Sequence, residues 1–304
     1  GGKMDPITLT TANRLFGQTG YAFRKPFLEL VNVDYAAPFG PVDFATDASG
    51  VTKHINLWVE AQTRQRIHDL IPDGALTSLT RLVLANAIYL KAPWAEEFYD
   101  FATKPKPFHV ASNNITRVPT MMVQRKLGHA RRDGCTMLNI PYRGGDLQFL
   151  ILLPDKVDGL SLLEKNLTAK QLADATRLDS QEVILYLPKF KLEPPAMALS
   201  RELQALGMKS AFDQPVGSAN FDRMAPRQEK GYLYVSEVFH KTFLELDEKG
   251  TEAAAATAVV MATRSAAVEK PKPIEIRVDH PFVFAIQHQP SGACLFLGHV
   301  GDPR

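Results

Sequence analysis

The chain has 304 residues, 45% of them hydrophobic and 22% charged, with a formal net charge of +2. That is the make-up of a soluble globular protein long enough to bury a sizeable core. The charge is too small to imply a nucleic acid as main partner, no apolar run approaches the roughly 20 residues of a membrane span, and two cysteines, Cys135 and Cys294, form no disulfide framework or metal-ligand spacing. Both thiols are expected to be free and buried.

In chain order, Ile7, Leu9 and Thr11 alternate as a strand, and Phe23, Phe27, Leu30 and Val31 repeat at helical spacing. After the turn-rich AAPFGPVDF, the pattern of Ile55, Trp58, Val59, Ile67 and Leu70 predicts an amphipathic helix over 51–71. Pro72-Asp73-Gly74 ends it. Leu82–Leu90 is almost unbroken apolar sequence, which predicts a strand covered on both faces. Asn86 interrupts it and, if buried, needs a hydrogen-bond partner.

Next come a proline-rich patch over Lys104–Pro107 and strands near 118–123 and 147–153. A helix follows over Leu162–Arg177, then a strand over Glu182–Leu192. Leu199, Leu203 and Leu206 mark another helix, stopped at Gly207. Val238, His240, Thr242, Leu244 and Leu246 alternate along one strand, and strands over 274–278, 282–287 and 294–300 close the chain. With no internal repeat, low-complexity tract or linker, residues 1–304 read as one domain.

The chemistry-bearing motifs are missing. The sequence has no GxSxG, HExxH, GxGxxG or CxxC, so nothing points to an enzyme, a cofactor or a metal. Arg143-Gly144-Gly145-Asp146 reads as a turn between strands. Arg125-Lys126 and Arg131-Arg132 read as a solvated basic face.

One stretch stands apart, Asp247 to Ser265, reading DEKGTEAAAATAVVMATRS. From Ala253 to Thr263 it has no proline, glycine or charge, unlike an ordinary surface connection. Its alanines favour a helix, whereas Thr257, Val259, Val260 and Thr263 favour extended structure. As a strand, one face would carry Thr251, Ala253, Ala255, Thr257, Val259 and Met261, all small or apolar.

DEKGTEAAAAT, followed by DHPFVFAIQH and LFLGHV, resembles the serpins. RLVLANAIYLKAPW, EVILYLPKFKLE, LQALGMKSAF and VSEVFHKTFLELDEKGTEA are similar to serpin segments in the family's order, and together they cover essentially the whole chain. The resemblance implies an α+β serpin fold. It has three β-sheets, a large central sheet A plus sheets B and C, surrounded by helices, with an exposed reactive-centre loop at about 248–270. In the family a block of helices precedes the GGKMDPITLTTANRLFGQ with which this chain opens. The N-terminal segment is therefore expected to be missing or on a separate chain.

The implied activity is suicide inhibition of a serine protease, with no catalysis by the chain itself. The family's scissile bond usually follows the residue fourteen positions beyond the hinge glycine. Counting from Gly250, the reactive bond is Arg264–Ser265, a bait for a trypsin-like protease held as a covalent complex. Met261, Ala262 and Ala266 leave an elastase-like or chymotrypsin-like target with a shifted bond open, and a non-inhibitory carrier or chaperone is the further alternative. The hinge comprises Glu248, Gly250, Thr251, Glu252, Ala253, Ala254, Ala255, Ala256 and Thr257. Trp94, Asn86 and His240 match the region where the sheet opens, with Asn86 and His240 as a polar pair. Tyr234 stands where the resemblance places a lysine partner of Glu248 in one family member, so that ion pair is not carried over. The resemblance also implies a monomer with loop–sheet polymers as its hazard, no cofactor, no nucleic acid and no membrane. An extracellular or periplasmic site is expected ahead of the cytoplasm.

Overall fold

The computed structural model describes residues 7–228, 231–251 and 272–304. In chain order the elements are β1 (Thr8–Gln18), α1 (Lys25–Val33), β2 (Phe39–Val42), α2 (Phe44–Gln62), β3 (Leu82–Pro93), β4 (Lys104–Ala111), β5 (Asn114–Arg132), β6 (Cys135–Pro141) and β7 (Leu147–Pro154). These are followed by α3 (Leu160–Asn166), α4 (Ala169–Asp174), β8 (Ser180–Pro188), β9 (Phe190–Leu192), β10 (Met197–Ala198), α5 (Ser200–Ala205), β11 (Phe239–His240) and β12 (Leu244–Asp247). The last are β13 (Gly250–Thr251), β14 (Ile274–Arg277), β15 (Phe282–His288) and β16 (Ala293–Val300). Among the described residues the strands fall into three sheets. With the helices this is the expected α+β architecture. The chain divides into two compact units, each built from separated segments.

The first unit holds residues 1–8, 90–191 and 244–304. Its large antiparallel sheet runs β8–β5–β6–β7–β15–β16, with β14 parallel to β8 at one edge and β4 beside β5. β7 is buried along its whole length, as its unbroken apolar sequence requires. Cys135, Met137, Leu150, Leu152, Val283 and Ala285 share one core cluster, with Leu163 and Leu172 of the flanking helices against it.

The helix expected over 162–177 is two short ones. The chain breaks at Leu167-Thr168, where the Thr168 side chain and Gln171 form a reciprocal capping box that starts α4. The expected basic face is also divided. Arg125 is buried, donates to the Glu96 carbonyl and lies 5.3 Å from the Phe98 ring centroid, while Lys126 faces solvent. Strand alternation puts residue 125 on the side of Val123 and Leu127. Burial lowers the Arg125 pKa to about 10. Both cysteines are free, but Cys294 is exposed on β16 rather than buried.

The second unit holds residues 9–89 and 192–243. Here β1 pairs in parallel with β2 and neighbours β3. α2 lays Val51, Ile55 and Val59, four residues apart, against Ala12, Phe16, Ala85 and Ala87. This helix begins at Phe44, capped by the Asp43 side chain, and ends at Gln62 instead of continuing to 71. Ile67, Leu70 and Ile71 are still buried, in non-helical chain that doubles back. Asn56 holds that return by bonding both the N–H and the carbonyl of Ile71, each at 2.9 Å. A periodic apolar pattern marks burial, and here burial outlasts the helix.

The single strand expected over 238–246 is interrupted at 241–243. Phe243 joins the core of the second unit and Leu244 is buried in the first, so strict alternation breaks at that step.

Candidate functional site: the hinge and the strand end that holds it

Within the first unit, β13 lies between the end of β3 and β12, antiparallel to both. Thr251 is opposite Ala92 on one side and Leu246 on the other, and Gly250 is opposite Pro93 and Asp247. The chain reverses from β12 into β13 through a tight turn. The Asp247 side chain stabilises it by accepting the amides of Lys249 at 2.8 Å and Gly250 at 3.2 Å.

Glycine at 250 follows from two constraints. Its φ is +149°, and a Cβ there would sit 2.2 Å from the Ala92 carbonyl oxygen and 2.6 Å from Pro93 Cα. No side chain fits between those backbones.

The segment after β3 grips the turn by three successive carbonyls. The Trp94 indole donates to Asp247 O at 2.9 Å, the Phe98 amide to Glu248 O at 2.8 Å and the Trp94 amide to Lys249 O at 2.8 Å. Trp94 is fully buried. It stacks on Tyr142 at 4.6 Å with an interplanar angle of 7°, and the Phe98 and Phe149 rings meet it edge-on. Thr251 is 1% exposed, and its hydroxyl lies 2.5 Å from the Tyr142 hydroxyl. Burial holds the Tyr142 proton on well above the usual phenol range, against the smaller opposing pull of Thr251.

Glu248 is buried at the base of the turn. Its carboxylate meets Lys189 Nζ at 2.7 Å and accepts from the Thr103 hydroxyl at 2.7 Å. Burial alone would raise its pKa, but the bonds from Lys189 and Thr103 outweigh it and the carboxyl lies below its ordinary range. The cation beside Glu248 is thus Lys189, not residue 234. Tyr234 is exposed and lies in the second unit. The lysine lies between β8 and β9, in the LPKF stretch whose alternation signalled only a strand. Burial pushes the Asp247 carboxyl above its usual range, with the two amide bonds acting against it.

The other positions singled out by sequence lie elsewhere. Asn86 and His240 are both in the second unit and both exposed. The Asn86 amide donates to the Asn13 side-chain oxygen, and His240 pairs across β11 and β10 with Met197. Among the described residues no bond joins Asn86 to His240. On β3, Ala85 and Ala87 turn toward the core under α2, so Leu84, 64% exposed, and Asn86 face the opposite way. Among the described residues, the cover expected on both faces lies over one. Asn13 was not singled out by sequence; its place in the alternation of β1 was the available signal. Glu252, Ala253, Ala254, Ala255, Ala256, Thr257, Arg264 and Ser265 lie outside the described residues.

Comparison with known proteins decides the family. The family model described as "Serpin (serine protease inhibitor)" matches residues 3–303. The chain belongs to the serpin family. A leukocyte elastase inhibitor from Bos taurus is 39% identical over 308 residues, covering 98% of this serpin and 78% of the relative. Serpin B10 from Sorex araneus is 38% identical over 300 residues, covering 97% and 73%. The solved structure of Serpin48 from the insect Tenebrio molitor superposes with a TM-score of 0.82 at 32% identity, covering all of this chain and 78% of that one. The family description, serine protease inhibitor, replaces the negative reading drawn from missing enzyme motifs with a positive one.

Proposed function

We propose that this serpin traps its protease by adding its own loop between β3 and β12, from the hinge at Gly250–Thr251. The observation that carries the reading is the seating of Thr251 between β3 and β12, buried and in register with both. Extending that register would set Ala253 opposite Leu90 and Leu244, with each further residue gaining ladder hydrogen bonds. Small side chains at 253–256 enter such a gap at little entropic cost. Strand addition by a serpin loop is a recognised mode of recognition.

The chemistry runs through the protease. Its serine attacks the bait carbonyl, an ester forms, the peptide bond breaks, and the new amine leaves with a proton. Insertion of the freed strand then competes with hydrolysis of the ester. The uninserted chain is kinetically trapped, and insertion supplies the driving force.

The bait is Arg264, with Ser265 as the leaving residue. From Gly250 that stretch spans about 46–50 Å when extended, the length of a long strand. A guanidinium suits a carboxylate at the base of a trypsin-like pocket. A second reading has support from the relative named as a leukocyte elastase inhibitor, 39% identical to this chain. In that reading the cut falls after a small or apolar residue such as Met261, Ala262 or Ala266.

Mixing the protein with trypsin and, separately, with leukocyte elastase tests both. A band at the summed mass that survives boiling in denaturant is expected with one of them, and the mass of the released C-terminal fragment identifies the bond. Complete cleavage with all protease activity left would overturn the inhibitory reading in favour of a non-inhibitory carrier or chaperone.

A further inference from the structure

We infer that Tyr142 is a positioning residue for the hinge, and that its hydroxyl, paired with that of Thr251, sets how firmly the first loop residue is seated in the sheet. The inference rests on the inhibitory reading above.

Tyr142 is fully buried, and its ring is held in place from one side by the parallel Trp94 ring. An isolated bridge between Trp94 and Tyr142 fixes their backbones as well. The Tyr142 amide donates to Leu147 O at 2.9 Å, and Gly144 and Gly145, both at positive φ, close the turn that follows. The phenol oxygen is therefore aimed by rigid structure and not by a free rotor. Its partner is Thr251 Oγ1, 2.5 Å away.

Two buried hydroxyls that satisfy one another make a conditional device. While Thr251 is seated, both are paired. When the hinge withdraws, Thr251 can bond to water, but Tyr142 stays under Trp94 with its hydroxyl unpaired. The pair therefore penalises withdrawal and favours the first step of insertion, on which the race against ester hydrolysis depends. Threonine at 251 then has a positive role beyond being small and uncharged. A net hydrogen bond of ordinary strength corresponds to about a five-fold bias.

The test compares four variants with the unsubstituted protein: Tyr142→Phe, Thr251→Val, Thr251→Ser and the double Tyr142→Phe/Thr251→Val. Two quantities are read, the moles of inhibitor consumed per mole of protease trapped and amide exchange over residues 245–251. Tyr142→Phe keeps the ring stack, and Thr251→Val keeps the side-chain shape. Each is expected to raise inhibitor consumption and to speed exchange about five-fold, with the rate of first attack by the protease unchanged. Thr251→Ser keeps the hydroxyl and is expected to behave as the parent. The double variant leaves no unpaired hydroxyl, so its effect is expected to fall below the product of the two single effects.

Singles that match the parent, or a double equal to the product of the singles, would overturn the inference. Should Tyr142→Phe fail to fold, the Thr251→Val and Thr251→Ser pair decides alone, because they differ in the hydroxyl. Should the parent form no covalent complex with trypsin or leukocyte elastase, the inhibitory reading falls. The exchange rates then decide the pairing separately: faster exchange in Thr251→Val but not Thr251→Ser upholds it, and equal rates overturn it.

Discussion

Trp94 and Asn86 stand eight residues apart around β3, and their surroundings differ in kind. Around Trp94, in the first unit, three successive carbonyls of the turn are bonded, the Glu248 carboxylate is paired, and Thr251 is buried. Around Asn86, in the second unit, one side-chain bond to Asn13 stands on an exposed face beside Leu84. Polar groups removed from water must be satisfied by the protein, so the first site is rigid and specific. Those at the second site can exchange protein partners for water at little cost. A residue's family resemblance is the same in both places, but its energetic weight is not.

Substitutions at the two sites should therefore differ sharply. The largest effect is expected from Gly250→Val. The side chain meets Ala92 and Pro93 backbone atoms at a φ that disfavours any Cβ, so the hinge leaves the sheet at a cost of about 2–4 kcal/mol. A lower thermal midpoint and fast amide exchange over 245–251 would report it; native exchange there would refute it.

Next is Trp94→Phe, which loses the indole bond to Asp247 O and part of the stack on Tyr142. About 2 kcal/mol of stability should be lost in denaturant titration.

Glu248→Gln should lower stability at neutral pH, where the ionised carboxylate pairs with Lys189, and change it little in acid. The folded carboxyl has a pKa below its ordinary 4.5. Its contribution is thus fully present above that value and lost as pH falls through the lower, folded one. The variant should flatten the acid limb of stability as pH falls below the ordinary 4.5; an unchanged limb would mean that the ion pair with Lys189 carries no weight.

The smallest effect belongs to the second site. Asn86→Ala should cost less than about 1 kcal/mol, because both partners can bond to water. A loss as large as that from Trp94→Phe would erase the distinction between the two regions.

Much of this was legible in the residues. β7 reads as a buried strand from LQFLILLP, and the helix stop at Gly207, with φ +103°, follows from composition. At the hinge, Gly250, Thr251 and Trp94 carry the family's pattern. What escaped depends on tertiary partners. Periodicity could not end α2 at Gln62, because Ile67, Leu70 and Ile71 continue the apolar spacing while Asn56 turns the chain back on itself. It could not show that Leu84 and Asn86 lie on the face opposite α2, since an apolar run looks the same whether one face is covered or two. Nor could local pattern pair Glu248 with Lys189, 59 positions away, or Thr251 with Tyr142, 109 positions away.

The most direct measurement is the yield of covalent complex from Thr251→Arg with the protease that the parent traps. A buried, uncompensated guanidinium cannot occupy the place where Thr251 is now 1% exposed. The prediction is near-complete loss of the boiling-resistant band, with the loop still cleaved at the parental rate. An unchanged yield of complex would contradict insertion from this hinge.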